Sequence, residues 1–344
     1  MKIVFVFVVV VSFFLEGKDY TKNLNAIQCM NTLINKHGFK RDELNKLFSD
    51  IKVQNEALRA FLSPEKKAKI KGPKETRSRA QIRRAKQINV KYGSWGRYSR
   101  LKINAKRVNQ GVAFIKKYKD TFKAVEKKYG VPKEYIAAII GVETVYGGNV
   151  GKYPIFDTLA TLGFEENRRS DFFRKEFIHF MALSKTENFN PKNVKGSHAG
   201  AIGLGQFLPS NYKAYGVDFN KDGKITLQKA EDAIASIANY LKKNGWRKGE
   251  LVAIRAFFQG KRFDKYETGY KHFYHQFTLL GTMPIGFWDY KDKVCLIKLE
   301  RKKYDELWYG TKNFYVITRY NHSDYYAMSV HQLAQKIKKR LNEN

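Results

Sequence analysis

The chain has 344 residues, of which 43% are apolar and 15% aromatic, so it can bury a large core and is not intrinsically disordered. Lys and Arg number 65 against 32 Asp and Glu, and the formal net charge of +33 favours polyanionic partners such as nucleic acid, anionic lipid or an acidic cell-surface polymer. A lysine-rich composition bias would give the same charge, so the charge alone identifies no chemistry. The length suggests one large domain or two to three packed sub-domains.

The first residues have the pattern of a secretory signal. Met1-Lys2 precede the apolar run 3–15, which only Ser12 interrupts, and polar residues follow from Glu16. The run is too short to span a bilayer, so we predict a signal peptide over residues 1–17. The usual small-residue cleavage pattern is absent, which leaves an uncleaved anchor open. No cysteine follows the run directly, so a lipoprotein anchor is not supported.

The next part of the chain has the apolar spacing of helices. Apolar residues recur three to four positions apart over residues 29–61 and again over 103–128. Between them, residues 66–91 hold eleven Lys or Arg against one acid, Glu75. This basic segment fits either a surface arm for a polyanion or a solvated loop and helix face. We favour the solvated face, because the segment lacks aromatic residues that stack on bases.

The rest of the chain is predicted to be helical at first and then to change character. Pro132 suits the start of a helix, and helices joined by glycine-rich loops continue to about Gly245. Residues 293–300 and 313–320 are rich in β-branched and aromatic side chains and predict strands. A last helix is predicted over residues 327–341. The fold class is therefore mainly α, of the α+β type, with a small late β element.

Glu143 is the most informative single residue. In the stretch IIGVETVYGG it follows Ile136, Ile139 and Ile140 at the spacing i, i+3, i+4, i+7, so it lies on the apolar face of a helix that Gly147-Gly148 should stop one turn later. Burial keeps such a carboxyl group protonated, which suits a general acid at neutral pH. An inward Glu paired with an arginine would have the same pattern, so both alternatives stay open at this point.

Long blocks around and after Glu143 carry a family resemblance. They include YGVPKEYIAAIIGVETVYGG, KGSHAGAIGLGQFLPSNY and NFYVITRYNHSDYY, and a weaker match includes NTLINKHGFKRDELNKLF and FLSPEK. In these blocks the chain resembles the lytic transglycosylase B family, the peptidoglycan-cleaving enzymes of bacterial envelopes. The resemblance implies a lysozyme-like helical core flanked by a helical domain and a small antiparallel β domain. We predict a helical domain over 18–128, the core over 129–256, the β domain over 257–321 and a C-terminal helix over 322–344 that packs back on the helical part.

The resemblance also implies a reaction. In that family the Glu of the GVET motif is the sole catalytic acid and base, and here this residue is Glu143. The enzymes cleave the β-1,4 bond between N-acetylmuramic acid and N-acetylglucosamine and close a 1,6-anhydro ring on the muramic acid. Ordinary glycosidases need two carboxylates roughly 5 to 10 Å apart. Here no second carboxylate is needed, so the nearby acids Asp157, Glu165 and Glu166 are expected to be helix caps or surface charges.

Further residues match positions that line the family's sugar site. Arg168 and Arg169 offer cations for the lactyl-peptide carboxylates of the substrate, although pairing with a neighbouring acid would explain one of them equally well. Ser197 and Gln206 offer the neutral donors and acceptors that acetamido and hydroxyl groups require. Stacking on a sugar and packing in the core are both open for the last motif, which contains Tyr320, Asn321, Tyr325 and Tyr326.

The segment DFNKDGKITLQKAED has the start of an EF-hand loop. Its oxygen-bearing residues alternate, Gly223 takes the sixth position, and the spacing points ligands at a hard cation. Lys229 replaces the usual Glu at position twelve, whereas the family closes a longer loop at position fifteen. We predict a structural Ca²⁺ site, weakened by lysines and without a part in catalysis; a polar turn that caps the next helix is the alternative. The predicted ligands are Asp218, Asn220, Asp222, the carbonyl oxygen of Lys224, and Asp232.

Three other functions compete with this interpretation. A nucleic-acid-binding protein would need a basic face with interleaved aromatics or a known binding module, and the sequence shows neither. A muramidase would hydrolyse the same bond with water on the same kind of core, and the product chemistry separates the two. A non-catalytic glycan-binding or polyanion-binding relative disagrees with the intact GVET motif, Ser197 and Gln206.

The expected location is the periplasm, which the predicted signal segment and the peptidoglycan substrate both imply. Cys29 and Cys295 can form one disulfide in an oxidising compartment. We expect a monomer that binds peptidoglycan glycan strands and no nucleic acid. The basic charge is expected to add contacts with the membrane surface or with other cell-wall enzymes, and such contacts weaken with salt.

Overall fold

The computed structural model describes residues 17–69, 78–260 and 262–343. The helices of this part are α1 (Leu24–His37), α2 (Arg41–Phe48), α3 (Asn55–Phe61), α4 (Pro64–Lys69), α5 (Arg79–Lys102), α6 (Ala105–Lys117), α7 (Lys119–Tyr129), α8 (Lys133–Thr144), α9 (Ile155–Phe164), α10 (Ser170–Thr186), α11 (Pro209–Tyr215), α12 (Ala230–Lys243), α13 (Lys312–Tyr320) and α14 (Asp324–Asn342). The strands are β1 (Tyr153–Pro154), β2 (Lys195–Gly196), β3 (Ala253–Phe258), β4 (Phe273–Tyr274), β5 (Thr282–Pro284), β6 (Val294–Glu300) and β7 (Asp305–Gly310).

The chain forms two compact units that are not continuous in sequence. Among the described residues, the first unit contains 17–69, 153–194 and 198–200, and the second contains the others. The predicted signal segment, residues 1–17, lies outside the described part except for its last residue. The domain boundaries given above are a different division of the chain and stay a prediction.

The first unit is helical and has an aromatic core. Helix α10 packs against α9 and α1. Phe48, Phe156, Phe164 and Phe177 are buried there, and their ring centroids lie 5.3 to 6.3 Å apart in edge-on or tilted pairs. Fully burying each such side chain contributes about 1.5–3 kcal/mol to the stability of the unit.

The helical part of the second unit surrounds α8. Every residue from Glu134 to Val142 is buried, which is the pattern of a helix that is packed on all sides. Helices α6, α12 and α14 pack against it. Pro132 occupies the N-cap position, as the sequence predicted. The predicted last helix is confirmed as α14, whose N-cap Ser323 accepts a hydrogen bond from the backbone nitrogen of Tyr326.

The second unit also holds an antiparallel sheet with the strand order β4-β6-β7-β3-β5. Val294 and Leu296 alternate along β6, Leu307 and Tyr309 alternate along β7, and the four side chains form a core on one face of the sheet. The strand predicted over residues 293–300 is therefore confirmed as β6. Helix α5 passes near this sheet, and its kink at position 93 requires glycine, because φ is 70° there and a Cβ would lie 2.7 Å from the backbone of Arg301.

The strand predicted over residues 313–320 is wrong, since this segment is helix α13. A short run rich in β-branched and aromatic residues fits either a strand or a buried helix. Here the cap decides: the hydroxyl of Thr311 accepts a hydrogen bond from the backbone nitrogen of Asn313 at 3.1 Å. Phe314, Ile317 and Thr318 then fall on one buried face at helical spacing. Packing of that face overrides the β propensity of the side chains.

The disulfide between Cys29 and Cys295 that the sequence left open is not formed. Both cysteines are free and buried. Burial raises the pKa of the Cys29 thiol to about 11, so it behaves as a small apolar side chain.

Within the described residues, no helix combines the length and the apolar character needed to cross a bilayer.

Candidate active site

Glu143 is the last residue but one of α8, and the chain leaves the helix directly after it. The helix ends at Thr144, where Val145 caps it in the left-handed region with φ 53°. The predicted stop at Gly147-Gly148 is therefore wrong by less than a turn. Tyr146 is left-handed as well, with φ 57°, and β-branched or bulky residues rarely adopt this region.

The ring of Tyr146 explains this early stop. It lies against Gly111 of α6 and Gly141 of α8, and a Cβ on either glycine would come within 2.5 Å of the tyrosine hydroxyl oxygen. Left-handed backbone at two non-glycine residues costs about 1–3 kcal/mol each, and it persists only where the surroundings enforce it. The half-buried Tyr146 ring therefore holds the end of α8, and with it Glu143, in one place.

Thr144 joins the end of α8 to the glycine-rich turn 203–206. Its hydroxyl donates to the carbonyl oxygen of Leu204 at 3.0 Å and accepts from the backbone nitrogen of Gly147 at 3.1 Å. Within the turn, the amide nitrogen of Gln206 donates to the carbonyl oxygens of Val150 and Gly203 at 3.1 and 3.0 Å. These bonds use the nitrogen, which leaves the amide oxygen as the acceptor of the Gln206 side chain.

Two tyrosines from α13 and α14 complete the surroundings of Glu143. The hydroxyl of Tyr326 donates to Oε1 of Glu143 at 2.7 Å. The hydroxyl of Tyr320 donates to the carbonyl oxygen of Gly205 at 2.5 Å. The two rings are parallel within 8° at a centroid distance of 6.4 Å. Tyr320, Gln206 and Glu143 are therefore brought together, and Tyr326 contacts the carboxyl group itself.

The surroundings favour the protonated form of Glu143. Burial raises its pKa, and this outweighs the lowering by the Tyr326 hydrogen bond and by the positive charge of Lys102. Lys102 donates to the carbonyl oxygen of Val142 at 3.0 Å, and burial lowers its own pKa. No carboxylate among the described residues contributes to the shift at Glu143. The group is thus an isolated acid that still has part of its side chain accessible.

The other residues of the last motif lie around this pair without contacting the carboxyl group. Tyr325 points to α5, where its hydroxyl lies 2.8 Å from that of Ser94 and its ring lies 5.3 Å from Trp95. Asn321 is exposed at the end of α13. Ser197 closes a small loop in which its backbone nitrogen donates to the carbonyl oxygen of Ala201 at 2.9 Å.

Arg168 and Arg169 belong to the first unit and are held by neighbours there. The Nε atom of Arg168 donates to the carbonyl oxygen of Phe61 at 3.1 Å. The guanidinium group of Arg169 lies 4.1 Å from the ring centroid of Phe172. Among the described residues neither arginine pairs with an acid, so their charges are available to an anion.

The three nearby acids have structural partners. Asp157 is buried and accepts from the backbone nitrogen of Lys52 at 3.1 Å and from the ammonium of Lys192 at 3.3 Å, so it is not a helix cap or a surface charge. Its pKa is raised by burial. Glu165 pairs with Lys18 at 2.6 Å, and Glu166 pairs with Lys66 at 2.5 Å. The last two thus match the prediction, and Asp157 corrects it.

The loop 218–232 has a dense set of hydrogen bonds from its own backbone. Asp218 accepts from the backbone nitrogens of Asp222 and Gly223 at 3.2 and 2.9 Å, and Gly223 has φ 81°. The buried Asp232 accepts from the backbone nitrogens of Phe219, Asn220 and Thr226. This arrangement matches the first positions of an EF-hand loop.

Position twelve of this loop does not fit a cation. The ammonium group of Lys229 forms an ion pair with the carboxylate of Asp222, where a calcium ion would need an oxygen ligand. Among the described residues, no three His, Cys, Asp or Glu side chains gather closely enough to hold a metal ion. A cation fits this loop only if Lys229 leaves Asp222.

The comparison with known proteins decides the family. A family model described as the transglycosylase SLT domain matches residues 22–335. The chain belongs to the transglycosylase SLT family. This transglycosylase is 39% identical over 323 residues to the membrane-bound lytic murein transglycosylase B of Escherichia coli K12, which covers 93% of this chain and 84% of that protein.

Solved structures agree with this transglycosylase assignment. The lytic transglycosylase Slt35 of Escherichia coli in complex with bulgecin A has a TM-score of 0.82 and 37% identity, over 98% of this chain and all of that one. Slt35 in complex with calcium has a TM-score of 0.81 and 36% identity, again over 98% of this chain. The predicted family and the predicted fold class, a lysozyme-like helical fold with a small antiparallel sheet, are confirmed.

Two groups near Glu143 were not predicted from the sequence in the roles that the structure gives them. Lys102 was not predicted, because it lies in a basic stretch without a motif. Tyr326 was predicted only to stack or to pack, whereas its hydroxyl binds Glu143 across 183 residues of sequence.

Proposed function

We propose that this transglycosylase cleaves the β-1,4 bond between N-acetylmuramic acid and N-acetylglucosamine in peptidoglycan, with Glu143 as its single acid and base. The activity is that of the family to which the chain belongs. The observation that carries the role of Glu143 is its isolation: a partly buried carboxyl group with a raised pKa, one tyrosine donor and no second carboxylate acting on it.

In the first step, protonated Glu143 donates its proton to the glycosidic oxygen, and the bond from that oxygen to C1 of the muramic acid breaks. The acetamido group of the sugar stabilises the oxocarbenium-like centre that results. Glu143, now a carboxylate, removes the proton from the C6 hydroxyl of the same sugar. That oxygen attacks C1 and closes the 1,6-anhydro ring, so the acid is regenerated and no water is consumed.

Tyr326 and Lys102 both act on the carboxylate form of Glu143. Burial and the charge of Glu143 raise the pKa of Tyr326 well above its usual range. Its hydroxyl therefore stays protonated and donates a hydrogen bond to the carboxylate form of Glu143. Lys102 stabilises the same negative form at longer range. Tyr326 and Lys102 stabilise the carboxylate that forms when Glu143 gives up its proton. Burial then favours the return of the proton to Glu143 before the next cycle.

The remaining predicted residues are proposed to hold the glycan. The amide oxygen of Gln206 and the hydroxyl of Ser197 suit acetamido and hydroxyl groups, and the ring of Tyr320 suits a sugar face. Asn321 and Tyr325 extend this surface. Arg168 and Arg169 suit the carboxylates of the peptide that muramic acid carries.

The test is a digest of purified peptidoglycan analysed by mass spectrometry, with Glu143→Gln alongside. We expect muropeptides that end in 1,6-anhydromuramic acid, one water lighter than hydrolysis products, and none from the variant. Reducing-end products of full mass would instead establish a muramidase. Binding without products from either protein would establish a non-catalytic glycan-binding protein.

The loop 218–232 is proposed to take a calcium ion with low affinity. Its oxygen-bearing residues Asp218, Asn220 and Asp222, the carbonyl oxygen of Lys224 and the closing Asp232 support this, as does the complex of the related Slt35 with calcium. The Lys229–Asp222 ion pair opposes it. When bound, the ion would brace the loop that precedes α12, and catalysis would not use it.

We further propose a periplasmic monomer, on the grounds of the apolar segment 3–15 and of its peptidoglycan substrate. Peptidoglycan strands are then its principal partner.

A further inference from the structure

Exposed apolar side chains are concentrated in the second unit, at the β5 edge of the sheet. Among the described residues, ten large apolar side chains are exposed, and six of them fall between positions 257 and 287. We call these six the apolar patch: Phe257, Phe277, Leu280, Met283, Ile285 and Phe287. Phe277 and Phe287 are 79% and 84% exposed. Single exposed apolar residues are ordinary, but a concentration of them marks a surface that binds a partner or a membrane.

The strand register explains why half of the patch points away from the core. β5 is an edge strand that pairs with β3, and Met283 lies opposite Phe257. Residues that face each other across two strands share one side of a sheet, and the side alternates along each strand. Ala256 belongs to the core of the sheet, so its neighbour Phe257 points outward together with Met283. Ile285, two residues after Met283, falls on the same outer side.

The chain on either side of β5 carries the other three side chains of the patch. Before the strand, the hydroxyl of Tyr266 donates to the carbonyl oxygen of Thr278 at 2.6 Å and accepts from the backbone nitrogen of Leu280 at 2.9 Å, which fixes this turn. Residues 272–288 include no Lys, Arg, Asp or Glu, although 28% of the chain is charged. The patch can therefore enter an apolar medium without dehydrating a formal charge.

A basic cavity of about 640 Å³ lies in the same unit, between β4 and the start of α13. Five of its lining residues are Lys or Arg, and one is an acid. This acid, Asp292, pairs with Arg247 at 2.6 Å. Lys271, Lys291 and Lys293 are exposed and make no ion pair within the described part of the chain. Their charges raise the local potential and attract an anion.

Two aromatic contacts join the basic cavity to the apolar patch. His275 lines the cavity, and its ring stacks on that of Phe277 at a centroid distance of 5.3 Å. Tyr290 also lines the cavity, and its ring lies 5.4 Å from that of Trp288, the residue that follows Phe287. Unpaired cations and protruding apolar side chains therefore form one continuous surface.

We infer that the apolar patch and the basic cavity together bind the surface of an anionic phospholipid bilayer. The phosphate groups of the lipids meet the lysines of the cavity, while Phe277 and Phe287 enter the boundary between head groups and acyl chains. Attachment of this kind increases with the apolar area that is buried and with the attraction of basic residues to anionic lipid. None of the residues proposed for the reaction belongs to this surface, so it determines where the enzyme acts and leaves the chemistry unchanged.

The charge of the chain favours a bilayer over other occupants of this surface. A formal net charge of +33 is attracted to anionic lipid. A second copy of the chain would bring the same charge to the interface and be repelled. A small soluble anion would fill the cavity and leave the apolar patch exposed to water.

The test asks which part of the full chain enters a bilayer. Phe287→Trp places a tryptophan in the apolar patch, and Leu101→Trp places one at an exposed apolar position on α5, outside the patch. Each protein is mixed with phosphatidylglycerol vesicles whose acyl chains are brominated and quench tryptophan fluorescence at short range. The apolar run 3–15 is present in both variants, so its own affinity for lipid affects them equally. The wild type gives the background of the native tryptophans.

We expect strong additional quenching in Phe287→Trp and none in Leu101→Trp. Brominated phosphatidylcholine, which has no net charge, should quench little, and salt should weaken the effect on the anionic vesicles. Equal additional quenching in the two variants, or none in Phe287→Trp, would overturn the inference.

Two triple variants in the Phe287→Trp background test the cavity. Lys271→Gln/Lys291→Gln/Lys293→Gln should raise the lipid concentration at half-maximal quenching about tenfold or more. The control neutralises three exposed lysines of α6 and α7, Lys116, Lys119 and Lys123, and so changes the net charge equally. It should stay close to its parent. An equal rise in both triple variants would mean that the total charge acts and the cavity does not, which contradicts the inference.

The other occupants give results of their own. Inorganic phosphate that binds in calorimetry, is lost in the Lys271→Gln/Lys291→Gln/Lys293→Gln protein, and is not accompanied by quenching in Phe287→Trp would make the cavity a site for free phosphate. A dimer in sedimentation equilibrium that Phe277→Ser/Phe287→Ser abolishes, again without quenching, would mean that a second copy covers the patch. Either result would show that the surface does not bind a membrane.

Discussion

The carboxyl group of Glu143 and the carboxylates of the loop 218–232 have opposite surroundings. Glu143 accepts one hydrogen bond, from a tyrosine, and burial raises its pKa. In the loop, Asp232 accepts three backbone hydrogen bonds, and the ammonium of Lys229 together with the amide of Asn220 lowers the pKa of Asp222. Hydrogen bonds from N–H donors favour the ionised form of a carboxyl group, whereas poor solvation favours the protonated form.

Because their surroundings differ, the two regions are expected to have different functions. The loop uses its charge to organise backbone, so changes there should alter stability and leave the reaction intact. In the proposed reaction Glu143 transfers the proton, and we expect it to contribute little to the stability of the fold. A loop variant that lowers the rate, or a Glu143 variant that lowers the stability, would contradict this comparison.

The largest effect is expected from Glu143→Gln, with a fall in the rate of anhydro-product formation of about 10²–10⁴-fold or more. A raised pKa means that the native state holds this proton more tightly than the unfolded chain does. The stability linked to it is complete below the unfolded value, about 4.3, and is lost as the pH rises through the native pKa. At neutral pH the variant should therefore be at least as stable as the wild type, and the two should converge in acid.

Thermal unfolding followed from about pH 4 to pH 8 measures this. Glu165→Gln is the contrasting variant, because Glu165 pairs with Lys18 and also accepts from Tyr20. It should lose stability and keep its rate. A Glu143→Gln protein that is less stable than the wild type at neutral pH would assign Glu143 a structural role.

A smaller effect, about ten- to a hundredfold in kcat, is expected from Tyr326→Phe. The variant removes the hydrogen bond that lowers the pKa of Glu143, so the pKa should rise and the alkaline limb of the pH–rate profile should move to higher pH. Tyr325→Phe is the matched control, since its hydroxyl lies beside Ser94 and should leave the position of the limb unchanged. An unshifted limb in Tyr326→Phe would remove Tyr326 from the proton-transfer step.

Gly141→Ala tests how the end of α8 is held. The added Cβ would lie 2.5 Å from the hydroxyl oxygen of Tyr146, and overpacking of this kind costs about 1–3 kcal/mol of unfolding free energy. In a Tyr146→Leu background the same change should cost much less, because the obstructing ring is gone. Urea unfolding of the four proteins gives the coupling energy. Additive costs would show that the Tyr146 ring does not hold the helix end.

Local pattern was enough to predict much of this molecule. The apolar spacing of Ile136, Ile139 and Ile140 predicted a buried α8 and placed Glu143 at its inner face. The richness of residues 293–300 in β-branched and aromatic side chains predicted β6. Helix α13 was mistaken for a strand, because its short run of β-branched residues depends on the Thr311 cap and on packing for its conformation.

Contacts between residues that are far apart in the sequence could not be predicted from the spacing of residue types. The bond from Tyr326 to Glu143 joins residues 183 positions apart. The left-handed Val145 contradicts the preference of a β-branched residue and follows only from the fit of the Tyr146 ring between two glycines. The family resemblance predicted Glu143 as the acid, but the burial that raises its pKa depends on tertiary packing.

The smallest effect is expected in the loop, from Lys229→Gln with and without millimolar calcium. In the wild type the ammonium of Lys229 competes with calcium for Asp222, so the ion should raise the unfolding midpoint by little. Removing the ammonium should raise the affinity of the loop for calcium. A calcium concentration of about ten times Kd would then add about 1.4 kcal/mol to the free energy of unfolding and raise the unfolding midpoint by roughly 2–4 °C. Lys221→Gln changes the net charge equally, and Lys221 forms no ion pair within the described residues, so it should respond like the wild type. Equal calcium responses in all three proteins would mean that Lys229 does not compete with calcium for Asp222. The contrast with Glu143 would then rest on the backbone hydrogen bonds of Asp218 and Asp232 alone.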